Sequence, residues 1–350
     1  MWRTHLKSRW SGLVALALFL TVATVSSATD RKLLGDIEFF GYKGLDLETV
    51  RAALPFHEGD VFPPAKVKSS DDLKRQVSEA IKRVIGREAT SVSGVCCDEK
   101  QRWMVYIGLP GASYQELVFR PAPTGAIRFS KDAVKLSDAM EDASMSAVMH
   151  GHSSEDDSEG YALTNDPRTR KAQLALRDYA LHNEPLILEI LSTSSDARHR
   201  AVAAQMLGYG RQSDEQIAAL VQASLDTDDD VRNNAVRALW VLAGAKPDVA
   251  RRIPPEPFIR LLRSGAWSDH NKASLLFMGL TKSRDPRVLA QLRAEALDPL
   301  LEIARWRNPG HAEAALVVLG RIAGIDEDTL NKLIETGQAS VILKKFEEAR

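Results

Sequence analysis

The chain has 350 residues, enough for two or three domains at roughly 100–200 residues each. With 44% hydrophobic and 27% charged residues it is not an intrinsically disordered chain. Its formal net charge of −1 gives no electrostatic basis for nucleic-acid binding.

Arg3, Lys7 and Arg9 precede an uncharged, mostly apolar run from Gly12 to Val25, and Ser26-Ser27-Ala28 then supplies the small residues of a cleavage site after Ala28. The run is shorter than the ~20 residues that span a bilayer. Residues 1–28 therefore read as a cleaved signal peptide, with an uncleaved anchor as the alternative, and the remainder as an exported protein, periplasmic or secreted. Cleavage removes three basic and no acidic residues, which makes the mature chain more acidic. No cysteine precedes Cys96, so no N-terminal lipid anchor is expected, and no later segment is long and apolar enough to span a membrane.

Residues 33–110 open with period-2 alternation. Ile37 and Phe39 point one way and Glu38 and Phe40 the other, as in a strand with one face buried. Asp46 can cap a short helix carrying Leu47, Val50 and Leu54, which Pro55 ends. Gly59 supplies a turn. Leu73, Val77, Ile81 and Val84 form the stripe of a second helix closed by Gly86. Two strands follow; in the clearer one Trp103, Val105, Ile107 and Leu109 share a face. The expected order is β-α-α-β-β, an α+β domain.

A strand ending in "IEFFGYKG", a helix running into "LPFHEGDVF", a long second helix and a closing hairpin together resemble the POTRA domain. The resemblance implies an envelope module that binds other polypeptides, often by adding a strand to its sheet edge. Such domains commonly precede a membrane barrel. The alternating segments of about ten residues that would build one do not follow here, so barrel insertion is not carried over. Cys96 and Cys97, the only cysteines, are adjacent. Two unlinked thiols at a strand end are the favoured reading, and a strained disulfide between neighbours is the alternative.

In the connector, residues 111–165, "ELVFRPAPTGAIRF" reads as a short hairpin about a Pro/Gly turn, and Leu136, Met140, Ala143 and Ala147 as a helix face. His150, His152, Glu155, Asp156, Asp157 and Glu159 are metal-ligating residue types, but the run lacks the glycine and glutamate of an EF-hand loop. A solvated, flexible acidic loop is expected, without metal or other cofactor.

Residues 166–349 carry an internal repeat. "DARHRAVAAQMLGYG" from Asp196 aligns with "DVRNNAVRALWVLAG" from Asp230, which places Arg198 with Arg232 at a spacing of 34. Less regular copies contain Ala273 and Ala312. Each is preceded by a second apolar helix, so the region reads as four stacked helix pairs behind an N-terminal capping helix, an all-α solenoid. Asp196 and Asp230 sit where N-caps are needed. These "D-x-R-x-x-A-V" helices resemble HEAT repeats. Arg198 and Arg232 are expected to brace neighbouring repeats, or alternatively to grip an acidic partner. Trp240, Trp267 and Trp306 are expected in packing roles.

HEAT-like repeats also occur in enzymes. Metal-dependent deoxyhypusine hydroxylases use several His-Glu pairs, whereas this chain has one, His57-Glu58, outside the repeats. No H-E-x-x-H, G-x-S-x-G or Walker loop is present, and His182, His199, His270 and His311 do not share a register. No catalytic residue is assigned. The expectation is a non-catalytic scaffold of the cell envelope that binds one or more envelope proteins. The alternatives are an assembly factor that captures unfolded outer-membrane clients and, further off, an enzyme like the HEAT-containing bilin lyases.

Overall fold

The structure, a computed structural model, describes residues 32–152 and 154–347. The proposed signal peptide lies outside the described residues. The N-terminal region contains β1 (Lys32–Phe40), α1 (Leu47–Ala52), β2 (Val61–Phe62), α2 (Ser70–Ile85), β3 (Ser91–Val95) and β4 (Trp103–Gly108). The local signals act as their chemistry requires. The Asp46 side chain accepts the amides of Glu48 and Thr49 to cap α1, and Gly86 ends α2 with a left-handed φ of 75°. Val84, read as the last member of the α2 stripe, is exposed.

The strands form a mixed sheet in the order β2-β1-β4-β3. β1 runs parallel to β4, and β3 antiparallel to β4. The two-residue β2, absent from the sequence reading, adds antiparallel to the start of β1. Ile37, Phe39, Val105, Ile107 and Leu109 pack against Val50 of α1 and Leu73, Val77 and Ile81 of α2. The opposite face was expected to meet water and is instead buried. Phe40, Met104 and Tyr106 join the core of the helical region. Burial on both faces suits the parallel β1–β4 pair at the sheet centre.

The connector contains α3 (Lys131–Met149), β5 (Glu155–Asp156) and β6 (Leu163–Thr164). Residues 115–125 do not fold into the expected hairpin. They form a strap that crosses the helical region against the order of the chain. The amides of Gln115, Arg120 and Gly125 donate to the carbonyls of Arg263, Leu225 and Thr193, each at 2.8 Å. Every acceptor lies three residues before a helix N-cap, at Ala266, Asp228 and Asp196 respectively. Five residues of strap reach farther than the ~8–10 Å between packed helices, so one amide can serve each repeat. Pro121 and Pro123 lack the N–H groups that a hairpin ladder between the two pieces would use.

The helical region comprises α4 (Pro167–Thr193), α5 (Ala197–Leu207), α6 (Asp214–Ala223), α7 (Asp229–Ala245), α8 (Pro247–Ala250), α9 (Glu256–Leu261), α10 (Trp267–Leu280), α11 (Pro286–Glu295), α12 (Leu297–Ile303), α13 (Pro309–Ile322), α14 (Glu327–Glu335) and α15 (Ala339–Glu347). α4 is the expected capping helix joined to the first helix of repeat one across a kink. Asn183 leaves helical geometry there, just before Pro185. Helices α5, α7, α10 and α13 stack in succession, which makes a HEAT-like helical layer. α14 and α15 pack against α13 at the far end.

Candidate functional site

The sheet and the solenoid meet through buried aromatic rings. Phe40 lies 4.5 Å from His270 and 6.5 Å from Trp306 between centroids. Tyr106 lies 5.0 Å from Trp267, 4.9 Å from Trp306 and 5.4 Å from His311. The tryptophans 267 and 306 therefore pack between the two regions rather than only between repeats. Polar groups complete the junction. Trp306 Nε1 donates to the Phe39 carbonyl at 3.1 Å, and the Tyr106 hydroxyl hydrogen-bonds His311 Nδ1. Arg307 donates to Glu38 at 2.9 Å and to both oxygens of Glu58. Glu58, half of the lone His-Glu pair, also accepts from Arg51. Its bonds to Arg307 hold its carboxyl below the usual range, whereas burial raises that of Glu38.

Burial pushes His270 down to about 4 and His311 to about 3, so both are neutral at neutral pH. His270 Nε2 donates to the Ser264 carbonyl at 2.8 Å, which fixes its tautomer. Glu302 accepts from the Gly41 amide at 2.7 Å and from the Ser113 hydroxyl at 2.6 Å, and burial raises it to about 7. These groups join segments far apart in the chain.

A shift of two residues separates the sequence alignment from the three-dimensional one. Asp196 caps α5, accepting the amides of Arg198 and His199. The cap of α7 is Asp228, not Asp230. Arg200 and Arg232 are therefore the equivalent pair, each four residues beyond its cap. Each guanidinium bonds the carbonyl two residues before the cap, Ser194 for Arg200 and Asp226 for Arg232. Each also forks onto a buried carboxylate of the next repeat. Arg200 holds Asp226 at 2.8 Å twice, and Arg232 holds Asp269 at 2.9–3.2 Å. His270 occupies the same position in the third repeat, with its bond to Ser264. Arg232 thus braces repeats, and it also stacks on Phe119 of the strap at 4.0 Å. Arg198 is exposed and pairs with Asp138 of α3. The segment "TDDDVR" offers three consecutive aspartates as caps, and the one used, Asp228, accepts the Val231 amide and sets Arg232 within reach of Asp269.

Cys96 and Cys97 are joined as a vicinal disulfide, against the favoured reading of unlinked thiols. With no other cysteine in the chain, each has only its neighbour to pair with. Cys96 Sγ lies 3.2 Å from Met149 Sδ of α3. The acidic run is anchored at Glu155, while His150, His152, Asp156 and Glu159 are exposed. Glu155 is nearly buried and takes Arg237 Nη2 on both oxygens at 2.7 and 2.6 Å, which supplies a counter-charge for an arginine within α7. No group of ligating side chains able to hold a metal occurs among the described residues.

Between α3, α5 and α7 lies a groove of about 310 Å³. Met140, Val202, Ala238 and Val241 give it apolar walls, and Glu141, Asp228, Asp230 and Asn233 give it polar ones. Asp230 is pushed up to about 6, first by burial and then by Asp229, Asp228 and Glu141. Glu141 is raised as well, mainly by burial. Arg200, Arg237, Asn233 and Glu302 were missed as site residues. The one sequence signal, the place of Arg200 four residues past the Asp196 cap, shows its match with Arg232 only once Asp228 rather than Asp230 caps α7.

HEAT repeats match residues 184–272, from the kink of α4 into α10. No curated protein matches the chain. No described helix is long and apolar enough to cross a membrane. The matched segment makes the helical region similar to HEAT-repeat proteins, whose stacked helix pairs suggest a surface for binding other proteins.

Proposed function

We propose that this chain is an exported, non-catalytic scaffold of the cell envelope. In this reading the POTRA-like sheet and the HEAT-like solenoid present one composite surface to a folded partner. The observation that carries it is the repeat match over residues 184–272, together with an open groove on those repeats. Export is supported by the basic, apolar and small-residue succession of residues 3–28. His311 and Glu302 bond Tyr106, Gly41 and Ser113 and so tie the helices to the N-terminal region, whereas His270 bonds Ser264 within the helical region and packs on Phe40.

A second reading, capture of unfolded clients, is favoured by one feature: β3 pairs only with β4 among the described strands, so its outer edge can accept another strand. Crosslinking the full chain in intact cells and identifying the captured proteins separates the two. One or two folded envelope proteins support the scaffold. A broad set of unfolded outer-membrane clients, or turnover of a substrate by the purified chain alone, would overturn it.

A further inference from the structure

We infer that Cys96 and Cys97 form a thiol–disulfide exchange site for a dithiol partner, in which Cys97 takes the partner's sulfur and Cys96 resolves the bond. This goes beyond the scaffold reading and does not depend on it, because it concerns one stoichiometric exchange at the sheet and not the helical surface. The bond between the two cysteines does little for the fold. A disulfide stabilises chiefly by closing a loop, and more so as the loop lengthens, whereas this one joins neighbours at a sequence separation of 1. As the only cysteines in the chain, they have no other internal partner with which to exchange.

Their surroundings make the two sulfurs unlike. The pair lies just past the end of β3, in a turn to β4 whose residues Glu99, Lys100 and Gln101 are exposed. Cys97 is partly exposed, whereas Cys96 is 7% exposed and its Sγ abuts Met149 Sδ at 3.2 Å. An incoming thiolate therefore meets Cys97 first. The charge beside Cys97 is positive. Lys32 Nζ, at the start of β1, lies 3.5 Å from Cys97 Sγ, and it also donates to the neutral Gln101 Oε1 at 3.1 Å. The adjacent carboxylate, Asp98, is taken up by Arg102 at 2.6 Å and by the amides of Lys100 and Arg102. An ammonium beside a sulfur favours the thiolate, which is the form that attacks and the form that leaves. Cys96 has only the neutral thioether of Met149 against it.

The exchange balances with a dithiol as reductant. The partner's first thiolate bonds Cys97 Sγ, the Cys96–Cys97 bond breaks, and its electron pair leaves on Cys96 Sγ. The partner's second thiolate then attacks its own sulfur in the mixed disulfide and expels Cys97 as a thiolate against the Lys32 ammonium. The partner ends as a disulfide, this chain as a dithiol, and the two protons given up by the partner's thiols end on Cys96 and Cys97. With a monothiol the second step has no attacking group, so Cys96 closes back onto Cys97 and releases it.

The test uses the full chain, with dithiothreitol as the dithiol probe and glutathione as the monothiol, followed by intact mass. Without denaturant, dithiothreitol should convert the wild type to the form with two added hydrogens, and its oxidised form should reverse the change. Glutathione at equal thiol concentration should leave most of the chain as the disulfide. Acid quenching during the glutathione reaction, with peptide mapping, should place the attached glutathione on Cys97 of the wild type, a result that needs no variant to fold. Oxidised glutathione should modify Cys96→Ser, which keeps Cys97, at least about tenfold faster than Cys97→Ser. Adding Lys32→Gln should slow the reaction of Cys96→Ser by about threefold or more and leave that of Cys97→Ser unchanged. Resistance of the folded wild type to dithiothreitol, or reduction by glutathione as complete as by dithiothreitol, would overturn the inference. So would glutathione found on Cys96, equal rates for the two variants, or no effect of Lys32→Gln.

Discussion

Replacing Phe40 with alanine asks whether the sheet and the solenoid fold as one unit. Phe40 is fully buried, and its ring packs on His270 and Trp306, 230 or more residues away along the chain. Truncating a buried phenylalanine costs about 3–5 kcal/mol, from lost transfer energy and the cavity left behind. At about 2 °C per kcal/mol for a chain of this size, the melting temperature should fall by roughly 6–10 °C. The informative assay is hydrogen exchange. Protection should drop together in β1 and β4 on one side and in α10 and α13 on the other, because the cavity opens at their shared core. Leu174→Ala, at a residue 45% exposed on α4, should change stability by no more than about 0.5 kcal/mol. If Phe40→Ala loosens the strands while α10 and α13 keep wild-type protection, the sheet is an independent domain and the shared-core argument is wrong.

The two-residue register shift separates two arginines that the sequence alignment would misassign. Arg200→Ala should cost about 3–5 kcal/mol by leaving Asp226 buried and unpaired, whereas Arg198→Ala, at an exposed pair, should cost under about 1 kcal/mol in urea melts. Glu302 sets a pH dependence. Its folded value of about 7 lies above the ordinary 4.5, so its contribution is fully present below about pH 4.5 and lost as pH rises through about 7. The loss amounts to about 3 kcal/mol. Glu302→Gln should flatten that part of the stability–pH curve, and an unchanged slope between these limits would refute the assignment. Gly125→Ala should destabilise by about 1–3 kcal/mol, because its Cβ would fall 2.5 Å from the Thr193 carbonyl oxygen where the strap is bonded. A neutral result would show that the strap is not held there.

Most secondary structure was legible in the sequence because its signals are local. Asp46, Gly86, Asp196 and the spacing of Leu73, Val77 and Ile81 act within one or two turns of chain, so reading them needs no neighbour in space. The solenoid was legible for a related reason, since a repeat writes the same interface several times. What the sequence could not carry were choices made by contacts distant in the chain. Alternation marked the two faces of β1 but could not show that Phe40 meets His270, nor could composition show that residues 115–125 spend their amides on Arg263, Leu225 and Thr193. The groove likewise exists only because α3 is brought against α5 and α7. Three adjacent aspartates are equal as caps until Arg232 reaches Asp269. A buried charge tolerates only the geometry that pairs it, and that partner, 37 residues on, belongs to the tertiary structure.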